Sequence, residues 1–179
     1  INVKMKGASE TEINGNGPLI SKKDLDQLFS QLDNLTQEDV LVLAGSIPSS
    51  VPSDIYASIM ARTRAMCIVD ASGKLLENVL QYHPLLIKPN IDELEELFGE
   101  IKNQQHLIEC MSNLQKQGAK NVIVSMGKDG ACFLDEKQNF YYQPAFKGTL
   151  VNSVGSGDSM IAGFIKAYSE QLDSKTILK

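Results

Sequence analysis

Asp39-Val40-Leu41-Val42-Leu43-Ala44-Gly45-Ser46-Ile47-Pro48, residues 39–48, is the stretch that decides the fold. Five successive apolar residues, Val40 to Ala44, leave no face for solvent over a strand's length. Such a run predicts a buried strand of a parallel sheet, because a half-exposed antiparallel strand alternates apolar with polar. The run stops at Gly45 and passes into a loop of small and rigid residues, Gly45 to Pro52. The carboxyl end of this strand therefore carries a shaped loop.

Outward from residue 39 the same unit recurs. Ser21 to Leu32 predicts a helix, with Ser21 as cap, Asp24 as capping-box acid and Leu25, Leu28, Phe29 and Leu32 as its stripe. After the loop come a helix over 53–62, a buried strand over 65–70 ending in Asp70-Ala71-Ser72-Gly73, and a short helix over 74–80. A third strand is expected over 84–88, then helices over 91–98 and 104–117, and a fourth buried strand over 121–125. Residues 130–134 and 140–143 predict a late antiparallel pair turned at 135–139. Helices alternating with buried strands imply an α/β domain, a mainly parallel sheet with helices on both faces.

At the other end, Ile1 to Lys6 alternates polar with apolar, and Glu10 to Ile13 follows a turn, so an antiparallel pair is expected before Asn14-Gly15-Asn16-Gly17-Pro18. A chain that starts inside a strand and without an initiator Met is expected to be a fragment.

Composition narrows the function. The chain has 179 residues, 42% of them hydrophobic, enough for one ordinary domain with a core. With 17 basic and 22 acidic residues, and a formal net charge of -5, there is no basic field for nucleic acid or an anionic membrane. Any anion must be caught locally. No apolar run is long enough to span a bilayer. Cys67, Cys110 and Cys132 lack metal or redox spacing and fit reduced core thiols of a cytoplasmic protein; His83 and His106 have no partner at ligand spacing.

Chemistry concentrates where parallel strands end, since ligands of such sheets bind at those loops. In Val151-Asn152-Ser153-Val154-Gly155-Ser156-Gly157-Asp158, two glycines permit a concave nest of N–H groups, and an apolar helical pattern (Met160, Ile161, Phe164, Ile165, Tyr168) follows at once. A nest opening a helix attracts phosphate. Asp158 beside it fits a general base for phosphoryl transfer, or a plain helix cap. Ser125-Met126-Gly127-Lys128-Asp129-Gly130 spaces small residues so that backbone approaches a ligand, or forms an ordinary turn. In Lys88-Pro89-Asn90-Ile91-Asp92-Glu93, Asn90 caps a helix or faces phosphate, and Glu93 is a candidate for hydrated Mg²⁺. Gly45 and Ser46 line a substrate or only turn the chain. Neither a Walker phosphate loop nor a complete G-x-G-x-x-G fingerprint occurs, so a different phosphate cradle is required.

Taken together, Val154-Gly155-Ser156-Gly157-Asp158, Ser125-x-Gly127-x-x-Gly130 and Asn90-x-x-Glu93 resemble, in order, the motifs of the PfkB (ribokinase-like) carbohydrate kinases. Asn2-Val3-Lys4 with Glu10-Thr11-Glu12-Ile13-Asn14-Gly15-x-Gly17-Pro18 is similar to the branch of 1-phosphofructokinases and tagatose-6-phosphate kinases. The resemblance implies a three-layer α/β/α domain over 18–179, incomplete at both ends, with 1–17 as part of a small β lid. It implies Asp158 as base and Gly155, Ser156 and Gly157 as anion hole. ATP would meet Ser125, Met126, Gly127, Lys128, Asp129, Gly130, Asn90 and Lys88, and Glu93 would serve Mg²⁺. Asn2, Lys4, Gly45, Ser46 and Asp158 would meet the sugar phosphate. Fructose 1-phosphate is the first substrate candidate and tagatose 6-phosphate the second, with a homodimer through the lid. The sequence departs from many relatives at Ser156, where Ala is usual, and at Asn152-Ser153, where Asp-Thr is usual. The rivals are another ribokinase-like kinase, of a nucleoside or a vitamin, and, from another class, a non-catalytic sugar-phosphate or nucleotide-binding module.

Overall fold

In the computed structural model the chain is described over residues 2–6, 10–14, 17–148 and 155–178, with backbone alone for the first two segments. Residues 7–9 of the expected turn, the Gly15-Asn16 pair and Val151 to Val154 of the glycine motif lie outside the described residues. So do the side chains of Asn2 and Lys4.

Strands β1 (Asn2–Lys6) and β2 (Glu10–Asn14) pair antiparallel as a two-stranded sheet, with Asn2 opposite Asn14 and Lys4 opposite Glu12. The rest alternates: α1 (Lys22–Leu32), β3 (Val40–Ala44), α2 (Ile55–Arg62), β4 (Met66–Asp70), α3 (Gly73–Leu80), β5 (Leu86–Ile87), α4 (Ile91–Phe98), α5 (Gln104–Lys116), β6 (Asn121–Ser125), β7 (Ala131–Leu134), β8 (Phe140–Gln143) and α6 (Ser156–Ser169). Strands β3 to β8 form one sheet in chain order; β3 to β6 are mutually parallel, and β7 and β8 are added antiparallel. No helix among the described residues is long and apolar enough to cross a membrane.

Strand alternation sorts side chains into two cores. Cys67 and Val69 of β4, Ile87 of β5 and Val122 and Val124 of β6 point into a layer built with α2, α3, α4 and α5. Their neighbours Ile68, Leu86 and Ile123 point the other way, against Ile161 and Phe164 of α6. Phe164 meets Phe133 edge to face at 6.1 Å between centroids. Burying such a ring contributes about 1.5–3 kcal/mol. Helix α1 is fixed by a reciprocal cap, in which Asp24 N–H donates to Ser21 Oγ (3.2 Å) and Ser21 N–H to Asp24 (2.9 Å). An Arg62–Asp33 ion pair, with Arg62 also over the Phe29 ring, ties α2 to it.

Two expectations are corrected. The run at 40–44 is not buried on both faces: β3 is an edge strand of the six-stranded sheet, and Val42 is 38% exposed. The strand expected over 84–88 is a regular strand only at Leu86–Ile87, although Leu85 N–H and Lys88 N–H also donate to β4, at Cys67 O (2.7 Å) and Val69 O (3.2 Å); Pro84 and Pro89, without an N–H, bound the pairing. Helices lie on both faces as expected, although among the described residues α6 alone covers the second. Helix ends differ by up to two residues: α2 starts at Ile55, after Pro52.

Candidate active site

Because β3 to β6 run parallel, their carboxyl ends share one rim of the sheet. Ala44 and Asp70 end β3 and β4, Lys88 follows β5, and Ser125 ends β6. Backbone bonds lace the loops together: Gly45 N–H donates to Asp70 O (3.1 Å), and Ser125 N–H to Pro89 O (3.2 Å). Asn90 and Ser125 form a single parallel bridge. Tyr56 of α2 donates its hydroxyl to Ala44 O (2.8 Å) and Gly45 O (3.0 Å) from beneath. Burial, with the nearby Asp70 carboxylate, pushes the Tyr56 phenol above its ordinary value, so it stays a donor. From earlier in the chain, Gly17 packs on Pro48, and Ile20 N–H donates to Ser50 Oγ (3.0 Å), fixing the other side of the Gly45 loop.

The centre of the rim is an ion pair. Lys88 Nζ lies 3.1 Å from Asp70 Oδ1, with the lysine side chain 7% exposed and the aspartate 22%. A buried ammonium is costly unless paired. Directly over it comes the first turn of α6. A Cβ placed on Gly157 would stand 3.1 Å from Lys88 Nζ and 3.4 Å from its Cε. Glycine at 157 is thus what lets the helix start close over the lysine.

Gly155 enters α6 with φ 81°, a left-handed conformation that suits glycine. Its carbonyl accepts both the N–H and the hydroxyl of Ser159, each at 2.9 Å. Gly155, Ser156 and Asp158 are exposed, with Asp158 in the first turn, where N–H groups have no intrahelical acceptor. The arrangement offers amides and an ammonium to an anion, and a carboxylate beside them.

Asn90 and Glu93 form a reciprocal capping box: Glu93 N–H donates to Asn90 Oδ1 and Asn90 N–H to Glu93 Oε2, both at 2.8 Å. One Glu93 oxygen is therefore occupied. Glu93 nevertheless lines a cleft of about 430 Å³ together with Gly45, Ser46, Asp70 and Ser72. No group of three or more His, Cys, Asp or Glu suited to a metal ion occurs among the described residues. The second oxygen of Glu93, on an open cleft, fits a hydrated divalent cation that keeps its waters and takes substrate phosphates, not a metal caged by protein.

The glycines of the Ser125–Gly130 loop divide. Gly127 has φ 54° and open space where a Cβ would go, whereas a Cβ on Gly130 would stand 2.0 Å from Gln143 O. Gly127 begins a 3-10 turn, Gly127–Asp129, closed by Met126 N–H donating to Gly130 O (2.8 Å). Gly130 has a packing reason beneath β8. Lys128 and Asp129 are exposed, and Tyr142 Oη donates to Asp129 O (3.0 Å).

The structure thus brings Gly45, Ser46 and Glu93 to one cleft, Lys88 to Gly157, and Asn90 to Ser125. Sequence reading missed Asp70 and Tyr56. Asp70 carried a signal, as an acid closing a buried parallel strand; Tyr56 carried none. A roomier hollow of about 830 Å³, lined by Val40, Met66, Asn121, Asp135, Phe164 and Tyr168, flanks α6 near the opposite ends of β3, β4 and β6 and holds none of the candidate residues.

A family model described as pfkB family carbohydrate kinase matches residues 2–179. The chain is 45% identical over 176 residues to the 1-phosphofructokinase of Bacillus subtilis, covering 96% of this chain and 58% of the relative. It is 37% identical to a D-tagatose-1-phosphate kinase of Bacillus licheniformis, covering 92% and 56%. The phosphofructokinase-2 of Escherichia coli, solved in complex with substrates and products, superposes with a TM-score of 0.87 at 26% identity, covering 95% of this chain and 57% of that one. The chain therefore spans a little over half the length of the relatives it matches.

Proposed function

The chain belongs to the pfkB family of carbohydrate kinases, and on that premise we propose that the protein transfers the γ-phosphoryl group of ATP to a hydroxyl of a ketohexose 1-phosphate. Fructose 1-phosphate, giving fructose 1,6-bisphosphate, is the first candidate; the name of the B. subtilis relative supports it. The second is tagatose 1-phosphate, favoured by the name of the B. licheniformis relative. That choice moves the phosphate of the tagatose alternative from carbon 6 to carbon 1.

The observation that carries the reading is the start of α6 directly over a buried lysine, with Asp158 in its first turn. The sugar hydroxyl oxygen attacks the γ-phosphorus, the bond to the β–γ bridging oxygen breaks, ADP leaves, and Asp158 takes the hydroxyl proton. The N–H groups of Gly155, Ser156 and Gly157, with Lys88, stabilise the charge that spreads over the transferred oxygens. ATP lies along Ser125–Gly130, where Gly127 leaves room for close backbone approach. Glu93 would hold a hydrated Mg²⁺, which would supply charge neutralisation at the phosphates. Ser46 and the amides of the Gly45 loop face the sugar; Asn2 and Lys4 of the β1–β2 lid are assigned to the sugar phosphate by the family resemblance, and the lid to pairing of two copies. The lid spans 1–17 and the nucleotide- and substrate-binding domain 18–179.

The test is ADP release by the intact protein with Mg·ATP over a panel of ketose monophosphates. Turnover confined to 1-phosphates, and lowered by orders of magnitude in Asp158→Asn, is the expected result. No turnover on any of them, with nucleotide bound, would favour a non-catalytic binding module.

A further inference from the structure

Lys88 occupies an electrostatically awkward place. Its ammonium is almost wholly buried, and it sits against the first turn of α6, the positive end of that helix dipole. In that helix start only the Asp158 carboxylate attracts a cation, and among the described residues no ion pair joins it to Lys88. Among the described residues the Asp70 carboxylate is its ion-pair partner, and Asp70 Oδ2 would itself be only 3.9 Å from a Cβ on Gly157. Asp70 closes β4 and also lines the open cleft, so one side of the pair is dry and the other faces arriving ligands. Backbone geometry fixes the two strand ends relative to each other, since Lys88 N–H donates to Val69 O at 3.2 Å.

We propose that Asp70 is a positioning residue that parks the Lys88 ammonium beneath the anion hole of α6 and yields it to a transferred phosphoryl group. The inference rests on the kinase reading, and assigns to Asp70 a role through Lys88 and not through a metal. A phosphoryl group brings more negative charge than one carboxylate, and the helix N–H groups favour it where they disfavour the ammonium alone. Lys88 therefore changes partner over a short distance, with no buried charge left bare at any stage. Without the carboxylate, the ammonium has no defined resting place, and its alignment with the transition state is lost.

The experiment is a double-mutant cycle in the intact protein with Asp70→Asn and Lys88→Met, with kcat, KM and Mg²⁺ dependence measured for each variant. Asp70→Asn is expected to lower kcat about tenfold or more with nucleotide KM changed less than about threefold. In the Lys88→Met background the same change should cost less than about threefold, because the two residues act as one unit. Independent, multiplying losses, or a raised Mg²⁺ requirement in Asp70→Asn alone, would overturn the proposal. Should Asp70→Asn not fold, Asp70→Glu keeps the charge and displaces the carboxylate. It is expected to fold and to lose kcat, and full kcat there would equally overturn it. A readout independent of turnover is the ε-carbon resonance of Lys88 under Mg·ADP and inorganic phosphate. It should move on saturation in the unmodified protein, and should already be displaced in Asp70→Asn without ligand. A resonance indifferent to both overturns the inference. A responsive resonance in a protein inactive on every sugar phosphate retires the substrate reading and leaves the Asp70–Lys88 exchange standing.

Discussion

At position 157 a single methyl group decides whether the lysine below can stay where it is. The Cβ of an alanine there would press on Lys88 Nζ at 3.1 Å, the far end of a flexible side chain, so the lysine yields and the helix survives. Gly157→Ala is therefore expected to fold with a thermal midpoint within a few degrees of the unmodified protein. It should lose about tenfold or more in kcat, as a displaced charge costs transition-state stabilisation. Paired melting and turnover measurements check this. Asp158→Asn probes the other half of the same turn. It keeps the shape of an exposed first-turn side chain and removes the proton acceptor, so kcat should fall by about 10² to 10⁴. Mg·ATP affinity by calorimetry should change little, because the base acts after binding. Equal turnover in that variant would remove Asp158 from the mechanism.

At the scale of elements, the loop between β6 and β7 serves two purposes that glycine alone does not reveal. Gly130 is held at φ 91° with Gln143 O where its Cβ would be, so Gly130→Ala must move β8 or the turn. It is expected to destabilise by well over about 1 kcal/mol. Gly127 has an unsuitable φ for alanine and nothing to collide with, so Gly127→Ala should cost about 1 kcal/mol of stability and weaken Mg·ATP binding out of proportion. Urea titrations alongside calorimetry separate the two, and the reverse ranking would mean that Gly130 meets the ligand and Gly127 does not. Elements of this kind were legible in the sequence where the signal is local. The Ser21–Asp24 and Asn90–Glu93 boxes lie within four residues, and both form as spaced. What failed was non-local. Val40 to Ala44 has the same composition in the middle of a sheet or at its edge, and periodicity does not say how many neighbours a strand has. The Asp70–Lys88 pair joins the ends of two strands eighteen residues apart in sequence, and no short motif contains it.

Across the whole molecule, the three cysteines report on how the two layers are held. Cys67 lies on β4, Cys110 on α5 and Cys132 on β7, yet all belong to the core between the sheet and its five-helix face. Burial pushes the Cys67 and Cys132 thiols up to about 11, from an ordinary value of 9.0, and raises Cys110 as well. The folded chain therefore keeps these protons where the unfolded chain gives them up. With more protons bound folded than unfolded, stability falls as pH rises. The contribution is fully present below about pH 9 and is lost through the window from about 9 to 11, at about 1.4 kcal/mol per pH unit for each fully affected thiol. Two such thiols remove a large part of an ordinary domain's roughly 5–15 kcal/mol within that window. Urea midpoints measured from pH 7 to 10.5 should decline accordingly, and the decline should flatten in Cys67→Val/Cys132→Val. The raised Tyr56 phenol leaves a residual slope toward the top of the range. Because the thiols share one core, a disulfide reagent at pH 8 should label them together, at a rate set by global opening. Mg·ATP should slow all three by the same factor, since a ligand of the folded state lowers the open population. Rapid labelling of one cysteine alone would show that its layer opens independently of the sheet.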